Sequence, residues 1–381
     1  MTEVTAANPP TNRLRVLTVT PRYMPLTGGT EIHTYETARR IAAWQNDVTV
    51  LTTNPGMRLT GEEWSGDVRV IRVPAWPADR DYYVAPSVSK VIARRTWDLV
   101  HCQGIHTLFA PMAMLAAWRA RIPYVVTFHS GGHSSRLRNM MRGGQWTVLR
   151  PLLSRATKLI GVSEFEAEYF QRHLRIPAER FAVIPNGVQF PDSVTGIGHQ
   201  TDGAVIVSVG RLERYKGHHR VIAALPYVLA QQPDARLRIV GSGPFESQLV
   251  RMASELGVAE RVEIGAIPST DRAQMAAVLA GASVVTLLSD YESQGIAVME
   301  AIELKRPVLV SDGSALRELA QRGLARSVSL HSSPEQIAAA ILEQIERPRL
   351  PANLPLSSWD DCAAQLLDLY RRIHRSQSCV S

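Results

Sequence analysis

Two glutamates eight positions apart, Glu292 and Glu300, stand in the segment Y-E-S-Q-G-I-A-V-M-E-A. Glu292 follows an apolar, strand-like run at 283–288, and a turn at Gly295 is expected to open the helix that contains Glu300. A helix N-terminus presents free backbone N–H groups and a partial positive charge, which suit a phosphate or a sugar hydroxyl. Carboxylates on both sides of that terminus can accept hydrogen bonds from a polyol.

A second polar segment, V-G-R-L-E-R-Y-K-G, carries Arg211 and Lys216 directly after an apolar run. Two fixed cations at the end of a strand can hold a diphosphate and stabilise the negative charge that develops on it when a glycosidic bond breaks. Surface cations without a function are the alternative interpretation. Together, the acidic pair and the cationic pair predict a nucleotide-sugar site.

Eight short motifs follow one another along nearly the whole chain, and at these motifs the sequence resembles the retaining GT-B glycosyltransferases of family 4. They are G-G-T-E-I-H (28–33), V-V-T-F-H (125–129), G-V-S (161–163), I-P-N-G-V (184–188), G-R-L-E-R-Y-K-G (210–217), G-S-G-P (241–244), the two-glutamate element and S-D-G-S-A-L-R-E (311–318). The resemblance implies an α/β fold of two doubly wound, Rossmann-like domains facing a central cleft. It also implies transfer of a hexose-type sugar with retention, no essential metal and no cofactor other than the nucleotide-sugar donor.

The resemblance also implies roles for ten residues. Arg211, Lys216, Glu292 and His129 would be catalytic, with His129 at the tip of its strand touching the donor. The donor-binding positions would be Gly28, Gly29, Gln294, Gly295, Ile296 and Glu300. The alternatives are a structural strand-end histidine, a plain glycine turn, and a Glu300 that only complements the helix dipole.

Two positions depart from the pattern of similar sequences. S-Q-G-I-A replaces the usual E-G-F-G around Gly295, which changes the expected shape of the sugar pocket. Lys305 stands where similar sequences usually have the glycine that ends this helix, so it should cap the helix less favourably, or the chain should leave the helix through another turn. Ser163, Asn186 and Gly187 are expected to shape the cleft.

Strand-like apolar runs alternate with helical stretches in two series, which is typical of parallel sheets covered on both faces. The runs lie at 13–20, 47–53, 68–73, 98–103, 123–128, 158–163, 182–188, 204–210, 236–241, 261–265, 284–288 and 307–311. A Gly-, Ser- and Thr-rich segment at 191–203 separates the series and predicts a linker. The predicted domains are 1–190, which would bind the acceptor, and 203–356, which would bind the nucleotide sugar. A serine-capped helix at 357–375 should pack back on the first domain.

Charge is distributed unevenly along the chain. Residues 1–190 contain 23 Lys and Arg against 14 Asp and Glu, whereas the remainder contains 19 against 21. The segment 129–158 has six cations, no acid and interleaved apolar residues, a pattern that favours contact with an anionic membrane. An Arg-rich solvated helix face is the alternative. Aromatic-studded basic strands and a helix-turn-helix pattern are absent from the sequence, so no nucleic-acid partner is expected.

Composition predicts a protein of the cytoplasm, with the inner face of the plasma membrane as an alternative place of action. The three cysteines lack metal-ligand or disulfide spacing, and the N-terminus lacks the pattern of a signal peptide. The expected partners are a UDP- or GDP-linked sugar and a sugar, lipid-linked or small-molecule acceptor, and the expected role is surface polysaccharide or glycolipid assembly. Natural-product glycosylation, a sugar-phosphate-dependent disaccharide synthase or phosphorylase, and a non-enzymatic sugar-nucleotide-binding subunit stay open as alternatives.

Overall fold

The computed structural model describes residues 13–26, 28–55, 59, 61–77, 84–94, 96–130, 136–190, 203–268, 271–350 and 356–378. Residues 191–202 of the predicted linker lie outside this part of the chain, as do 131–135 of the basic segment.

The first half folds around an eight-stranded sheet. Its elements in chain order are β1 (Arg15–Val19), α1 (Gly29–Ala43), β2 (Asp47–Pro55), β3 (Glu62–Ser65), β4 (Val68–Ala75), α2 (Val88–Ala93), β5 (Leu99–Gln103), α3 (Phe109–Arg119), β6 (Tyr124–Thr127), α4 (Arg136–Leu153), β7 (Lys158–Gly161), α5 (Glu164–Leu174) and β8 (Phe181–Val183). The strand order is β3-β4-β2-β1-β5-β6-β7-β8, and only β3 runs antiparallel to its neighbour.

The second half folds around a six-stranded parallel sheet. Its elements are β9 (Val205–Val209), α6 (His218–Leu229), β10 (Arg236–Val240), α7 (Glu246–Glu255), β11 (Val262–Gly265), α8 (Arg272–Ala280), β12 (Val284–Leu287), α9 (Ile296–Glu303), β13 (Val308–Ser311), α10 (Ser314–Gln321), β14 (Arg326–Val328), α11 (Pro334–Glu346) and α12 (Trp359–Ser378). The strand order is β11-β10-β9-β12-β13-β14, the order of a doubly wound nucleotide-binding sheet.

Each sheet reverses its strand order once, and such reversals open a crevice at the carboxyl ends of the strands. In the first sheet the reversal lies between β1 and β5, and in the second sheet it lies between β9 and β12. The glycine pair, the Arg211–Lys216 segment and Glu292 follow β1, β9 and β12, and Gln103 is the last residue of β5. Each of the two switch points therefore lies at, or next to, a polar segment that the sequence predicts to be functional.

Buried apolar side chains cover both faces of both sheets. One face of the first sheet packs against α1 and α12, so the last helix of the chain completes the core of the first half. Ser358 and Asp361 cap α12 reciprocally, because Ser358 Oγ accepts from Asp361 N at 3.0 Å and Asp361 Oδ2 accepts from Ser358 N at 2.9 Å. The serine cap predicted from the sequence is confirmed.

Eleven of the twelve segments contain all or most of a strand, whereas 182–188, which closes the first series, overlaps only the last two residues of β8. The α/β fold of two doubly wound units is confirmed. Two short edge strands, β3 and β14, were not predicted because E-E-W-S and R-S-V lack a continuous apolar run. Among the described residues, no helix has both the length and the apolar character needed to cross a membrane.

Candidate functional site

The two glycine-rich loops predicted to bind the donor lie against each other. α1 begins at Gly29 and α9 begins at Ile296, and a methyl group placed on Gly29 would lie 3.7 Å from Cδ1 of Ile296. Both helices have a glycine at the N-cap, Gly28 and Gly295, and neither N-cap position supplies a side-chain hydrogen bond. Their first backbone N–H groups therefore have no hydrogen bond from an N-cap side chain, and uncapped N-termini of this kind stabilise an anion.

Lys216 and Glu292 form an ion pair at the switch point of the second sheet. Lys216 Nζ lies 2.6 Å from Glu292 Oε1, and the side chains are 15% and 12% exposed. Burial disfavours the charge of Lys216, but the Glu292 carboxylate and Tyr215 together outweigh burial, and the pKa of the lysine is raised. The ammonium group is therefore a permanent cation in the physiological range.

Two serines orient Glu292, and a glycine fixes the approach of Lys216. Ser289 Oγ donates to Glu292 Oε1 at 2.7 Å, and Glu292 N donates to Ser314 Oγ at 3.0 Å. Gly217 adopts φ +79°, and a Cβ there would lie 2.0 Å from the carbonyl oxygen of Leu288. Only glycine fits this position, so the K-G dipeptide holds the loop after β9 against the end of β12.

Arg211 lies in the same region but points towards solvent. Its side chain is 63% exposed, and its Nη2 donates to Tyr215 Oη at 2.9 Å. The guanidinium is close enough to Lys216 to lower the pKa of the lysine, although the net shift of that pKa is upward. Arg211 Nη1 also lies 3.5 Å from Glu213 Oε1, so the loop presents one largely buried cation and one accessible cation, each with an acidic partner.

Glu300 pairs with an arginine that the sequence did not single out. Arg272 Nη2, from the first residue of α8, lies 2.5 Å from Glu300 Oε1, and the Glu300 side chain is 9% exposed. The guanidinium carbon of Arg272 lies 4.9 Å from the ring centroid of Phe190. Burial raises the pKa of Glu300 despite the arginine.

His129 lies two residues after β6, with its backbone in the left-handed region at φ +46°. Its Nε2 is 2.8 Å from Oε1 of Gln103, and its carbonyl oxygen accepts from His106 Nε2 at 2.9 Å. Burial, together with nearby His33 and His101, holds the pKa of His129 well below its usual value. The imidazole is therefore neutral at pH 7.

Asn186 connects the donor loop to the histidines. Gln294 Oε1 accepts from Asn186 N at 2.8 Å, Gln294 Nε2 donates to Asn186 O at 3.3 Å, and His33 Nδ1 donates to Asn186 Oδ1 at 2.7 Å. The rings of His33 and His129 meet edge to face with centroids 4.5 Å apart. The Gln294 side chain is thus committed to the backbone of Asn186, which leaves the backbone of Gln294 for contact with a ligand.

Ser130 and Phe165 make further contacts between the halves. Ser130 Oγ bonds Tyr291 Oη at 2.6 Å and also donates to Glu166 Oε1, and Phe165 N donates to Glu318 Oε1. Burial raises the pKa of Glu166 to about 7, partly opposed by its hydrogen bonds from Ser130 and Val162.

His101, His218 and Ser163 have structural partners. His101 is buried between Tyr370 and Thr127, and His218 Nδ1 bonds Ser208 Oγ at 2.8 Å. Ser163 caps α5 by accepting from Glu166 N. In the part of the chain that the structure describes, no group of three or more His, Cys, Asp or Glu side chains could hold a metal ion.

The structure gathers the predicted residues into one region, although their roles stay predictions. Sequence reasoning missed Arg272, Phe190, Tyr291 and Gln103. Gln103 alone gave a usable signal, since it is a polar residue at the carboxyl end of a predicted parallel strand.

Two family descriptions cover most of the chain. Residues 27–190 match Glycosyltransferase Family 4, and residues 191–355 match Glycosyl transferases group 1. With two doubly wound units and a polar cleft region at their switch points, the chain belongs to the GT-B glycosyltransferases of family 4/group 1, and it is a glycosyltransferase.

Similar proteins span nearly its whole length. It is 27% identical to a phosphatidyl-myo-inositol mannosyltransferase of Mycolicibacterium smegmatis, over 94% of each chain. It is 28% identical to a GDP-mannose:cellobiosyl-diphosphopolyprenol alpha-mannosyltransferase of Xanthomonas oryzae pv. oryzae, over 78% of this chain and 79% of the other. A sucrose-phosphate synthase from Thermosynechococcus elongatus has a similar fold, with a TM-score of 0.77 and 20% identity over 96% of this chain and all of the other.

Proposed function

We propose that the protein transfers a hexose-type sugar from a nucleoside diphosphate to an acceptor hydroxyl with retention of configuration, in surface polysaccharide or glycolipid assembly. The observation that carries the proposal is the set of Arg211, Lys216 and Glu292 at the switch point of the second sheet, beside the glycine-capped N-terminus of α9. Crevices at such switch points are where doubly wound folds bind nucleotides.

In this proposal the donor lies across the loops after β9 and β12. Arg211 and Lys216 hold the diphosphate, and the N–H groups of Gly295 and Ile296 donate to it or to the sugar. Glu300 accepts from the ribose hydroxyls, which requires the nucleotide to compete with Arg272 for its carboxylate. Glu292, held by Ser289, accepts from hydroxyls of the donor sugar, and His129 contacts the sugar from the first half.

The proposed reaction is a same-face, ion-pair-like displacement. The bond between the anomeric carbon and the phosphate oxygen breaks, the leaving phosphate takes the proton of the acceptor hydroxyl, and the acceptor oxygen forms the new bond on the same face. Lys216 and Arg211 neutralise charge that is larger in the transition state than in the ground state, so they accelerate the step. We propose that no metal is needed.

The donor is proposed to be GDP- or UDP-linked and the acceptor lipid-linked. Support comes from the two mannosyltransferase relatives, whose names contain GDP-mannose in one case and a phosphatidyl or diphosphopolyprenol acceptor in both.

The experiment is a transfer assay with GDP-mannose, GDP-glucose, UDP-glucose and UDP-galactose against lipid-linked and soluble acceptors, with and without EDTA. We expect one nucleotide series to give an EDTA-insensitive glycoside whose anomeric configuration, read by NMR, matches the donor. An inverted product would refute the mechanism. Product that forms only from a sugar phosphate, or breakdown that requires inorganic phosphate, would favour the synthase or phosphorylase alternative.

We further propose peripheral contact of 129–158 with the inner face of the plasma membrane. The apolar residues Leu149 and Leu153 of α4 are buried in the protein core, whereas Val148 is 77% exposed and Arg150 and Arg155 are exposed. The contact would therefore be mainly electrostatic. Sedimentation with phosphatidylglycerol vesicles should be weaker, by about tenfold in partition, for Arg150→Gln/Arg155→Gln. The exposed Arg251→Gln should sediment like the wild type, and equal binding by the double variant would contradict the proposal.

A further inference from the structure

Gln103 occupies a position in the fold where a polar side chain reaches the site. It is the last residue of β5, beside the strand-order reversal of the first sheet, and its side chain is buried with the residue 1% exposed. Its Oε1 lies 2.8 Å from Nε2 of His129. The orientation of the amide therefore determines whether that imidazole nitrogen donates or accepts a hydrogen bond.

The surroundings of Gln103 fix which way its amide faces. Its Nε2 lies 3.3 Å from both ring nitrogens of His101, which already bond Tyr370 Oη at 2.5 Å and Thr127 Oγ1 at 2.7 Å. An atom equally distant from both ring nitrogens lies over the face of the ring, where an amide N–H group interacts favourably with the π electrons. The reverse orientation would place the lone pairs of the amide oxygen against that face and leave the buried oxygen without a donor. The oxygen therefore faces His129, and His129 Nε2 must donate.

A neutral imidazole has one ring proton. Burial and the neighbouring His33, His101 and His106 keep His129 neutral, so a proton held at Nε2 leaves a lone pair at Nδ1. The adjoining backbone is also fixed, because the carbonyl oxygen of His129 accepts from His106. Ring and backbone are thus set before any ligand arrives.

We propose that Gln103 is a positioning residue that holds His129 as the Nε2–H tautomer, so that Nδ1 accepts a hydrogen bond from a hydroxyl of the donor sugar. The inference rests on the proposed function for the identity of that hydroxyl. With the other tautomer, Nδ1 would donate, and the same hydroxyl would have to turn its lone pair towards the ring. The buried chain from Tyr370 through His101 and Gln103 to His129 would then connect α12 to the reacting sugar.

The direct test is long-range ¹H–¹⁵N NMR on the full chain labelled at histidine nitrogens, with His129 assigned from His129→Asn. We expect the wild type to show His129 as Nε2–H. Gln103→Met should populate both tautomers, while the His218 signals in the second half stay unchanged and report intact folding. A wild-type Nδ1–H tautomer, or a Gln103→Met spectrum identical at His129, would overturn the inference.

Kinetics supply the second readout. Gln103→Met should lower kcat/KM about tenfold, the effect of losing roughly 1.4 kcal/mol of alignment. Gln103→Glu should keep the Nε2–H proton but add a negative charge that favours protonation of Nδ1. As the pH is lowered, kcat/KM of Gln103→Glu should therefore begin to fall at a higher pH than kcat/KM of the wild type. His33, His101 and His106, which also face the ring, are common to all variants.

Failure of this inference and failure of the proposed function can be distinguished. Absence of any sugar transfer would refute the function, whereas the NMR spectrum would still decide the tautomer. Wild-type transfer rates and pH profile in both Gln103 variants would refute the positioning role alone. The exposed Gln274→Met provides the matched control and should leave spectrum and rate unchanged.

Discussion

Replacing Lys216 with methionine should separate stability from catalysis. The lysine and Glu292 lie 2.6 Å apart with 15% and 12% of their side chains exposed, so methionine leaves a nearly buried carboxylate without its cation. Breaking a fully buried pair costs about 3–5 kcal/mol. Residual exposure and the Ser289 hydrogen bond reduce the expected loss of unfolding free energy to about 2–3 kcal/mol.

The second substitution tests whether that loss comes from the stranded charge. Glu292→Gln combined with Lys216→Met removes both charges, and we expect it to recover roughly 1–2 kcal/mol of the summed single losses. Transfer activity should not recover, because the cation that contacts the leaving phosphate is still missing. Its loss should cost about 3 kcal/mol of transition-state stabilisation, or on the order of a hundredfold in kcat/KM.

Urea unfolding and initial-rate kinetics on the wild type, Lys216→Met, Glu292→Gln and the double variant measure both quantities. Wild-type kcat/KM in Lys216→Met would refute the catalytic assignment. Unfolding free energies that add without a coupling term would refute the ion pair.

Three further predictions concern positions whose geometry is unusual. Lys305 follows α9 with φ +54°, where Lys305 N donates to Ile302 O and Arg306 N donates to Ala301 O. Because glycine adopts this conformation without strain, Lys305→Gly should raise the free energy of unfolding by about 0.5–1 kcal/mol, while Lys305→Ala changes it little. Equal urea midpoints for the wild type and both variants would contradict this. Gln294→Met leaves the buried backbone groups of Asn186 without partners and should cost about 2 kcal/mol and raise the KM for the donor, unlike the exposed Gln274→Met, and unchanged unfolding would show that the contact is not formed. Burial lowers the pKa of His33 to about 4, so its contribution to stability is complete above pH 6.5 and is lost as the pH falls towards 4. His33→Gln should therefore reduce the dependence of the unfolding free energy on pH, measured by urea unfolding between pH 4 and 6.5, by up to one proton. Equal dependence on pH in the wild type and the variant would count against this.

The fold followed from the sequence because its strands are continuous apolar runs, which only a doubly covered parallel sheet buries on both faces. β3 and β14 escaped prediction because an edge strand is covered less and needs no such run. Of the two expectations for Lys305, the structure has the one in which the lysine takes the place of the usual glycine, because Lys305 adopts the left-handed conformation.

Side-chain partners in the site were less predictable than the elements. Strand ends placed Lys216 and Glu292 in one region, but their direct pairing depends on Gly217, which brings the loop after β9 against Leu288. Arg272 is the first residue of α8, and Glu300 lies within α9. No spacing in the sequence specifies that these two helices meet. Gln294 was expected to bind the donor. Its side chain instead bonds the backbone of Asn186, and this contact forms only because the two halves of the chain meet there.

The most direct test of the central claim is thermal unfolding of the wild type and Lys216→Met with UDP, GDP and ADP and their sugars. A donor site after β9 and β12 predicts that one nucleotide series stabilises the wild type, by about 2.7 kcal/mol at a hundredfold excess over its Kd, and stabilises the variant much less. Stabilisation that is equal in both proteins, or absent with every nucleotide, would contradict the placement of the nucleotide-sugar site.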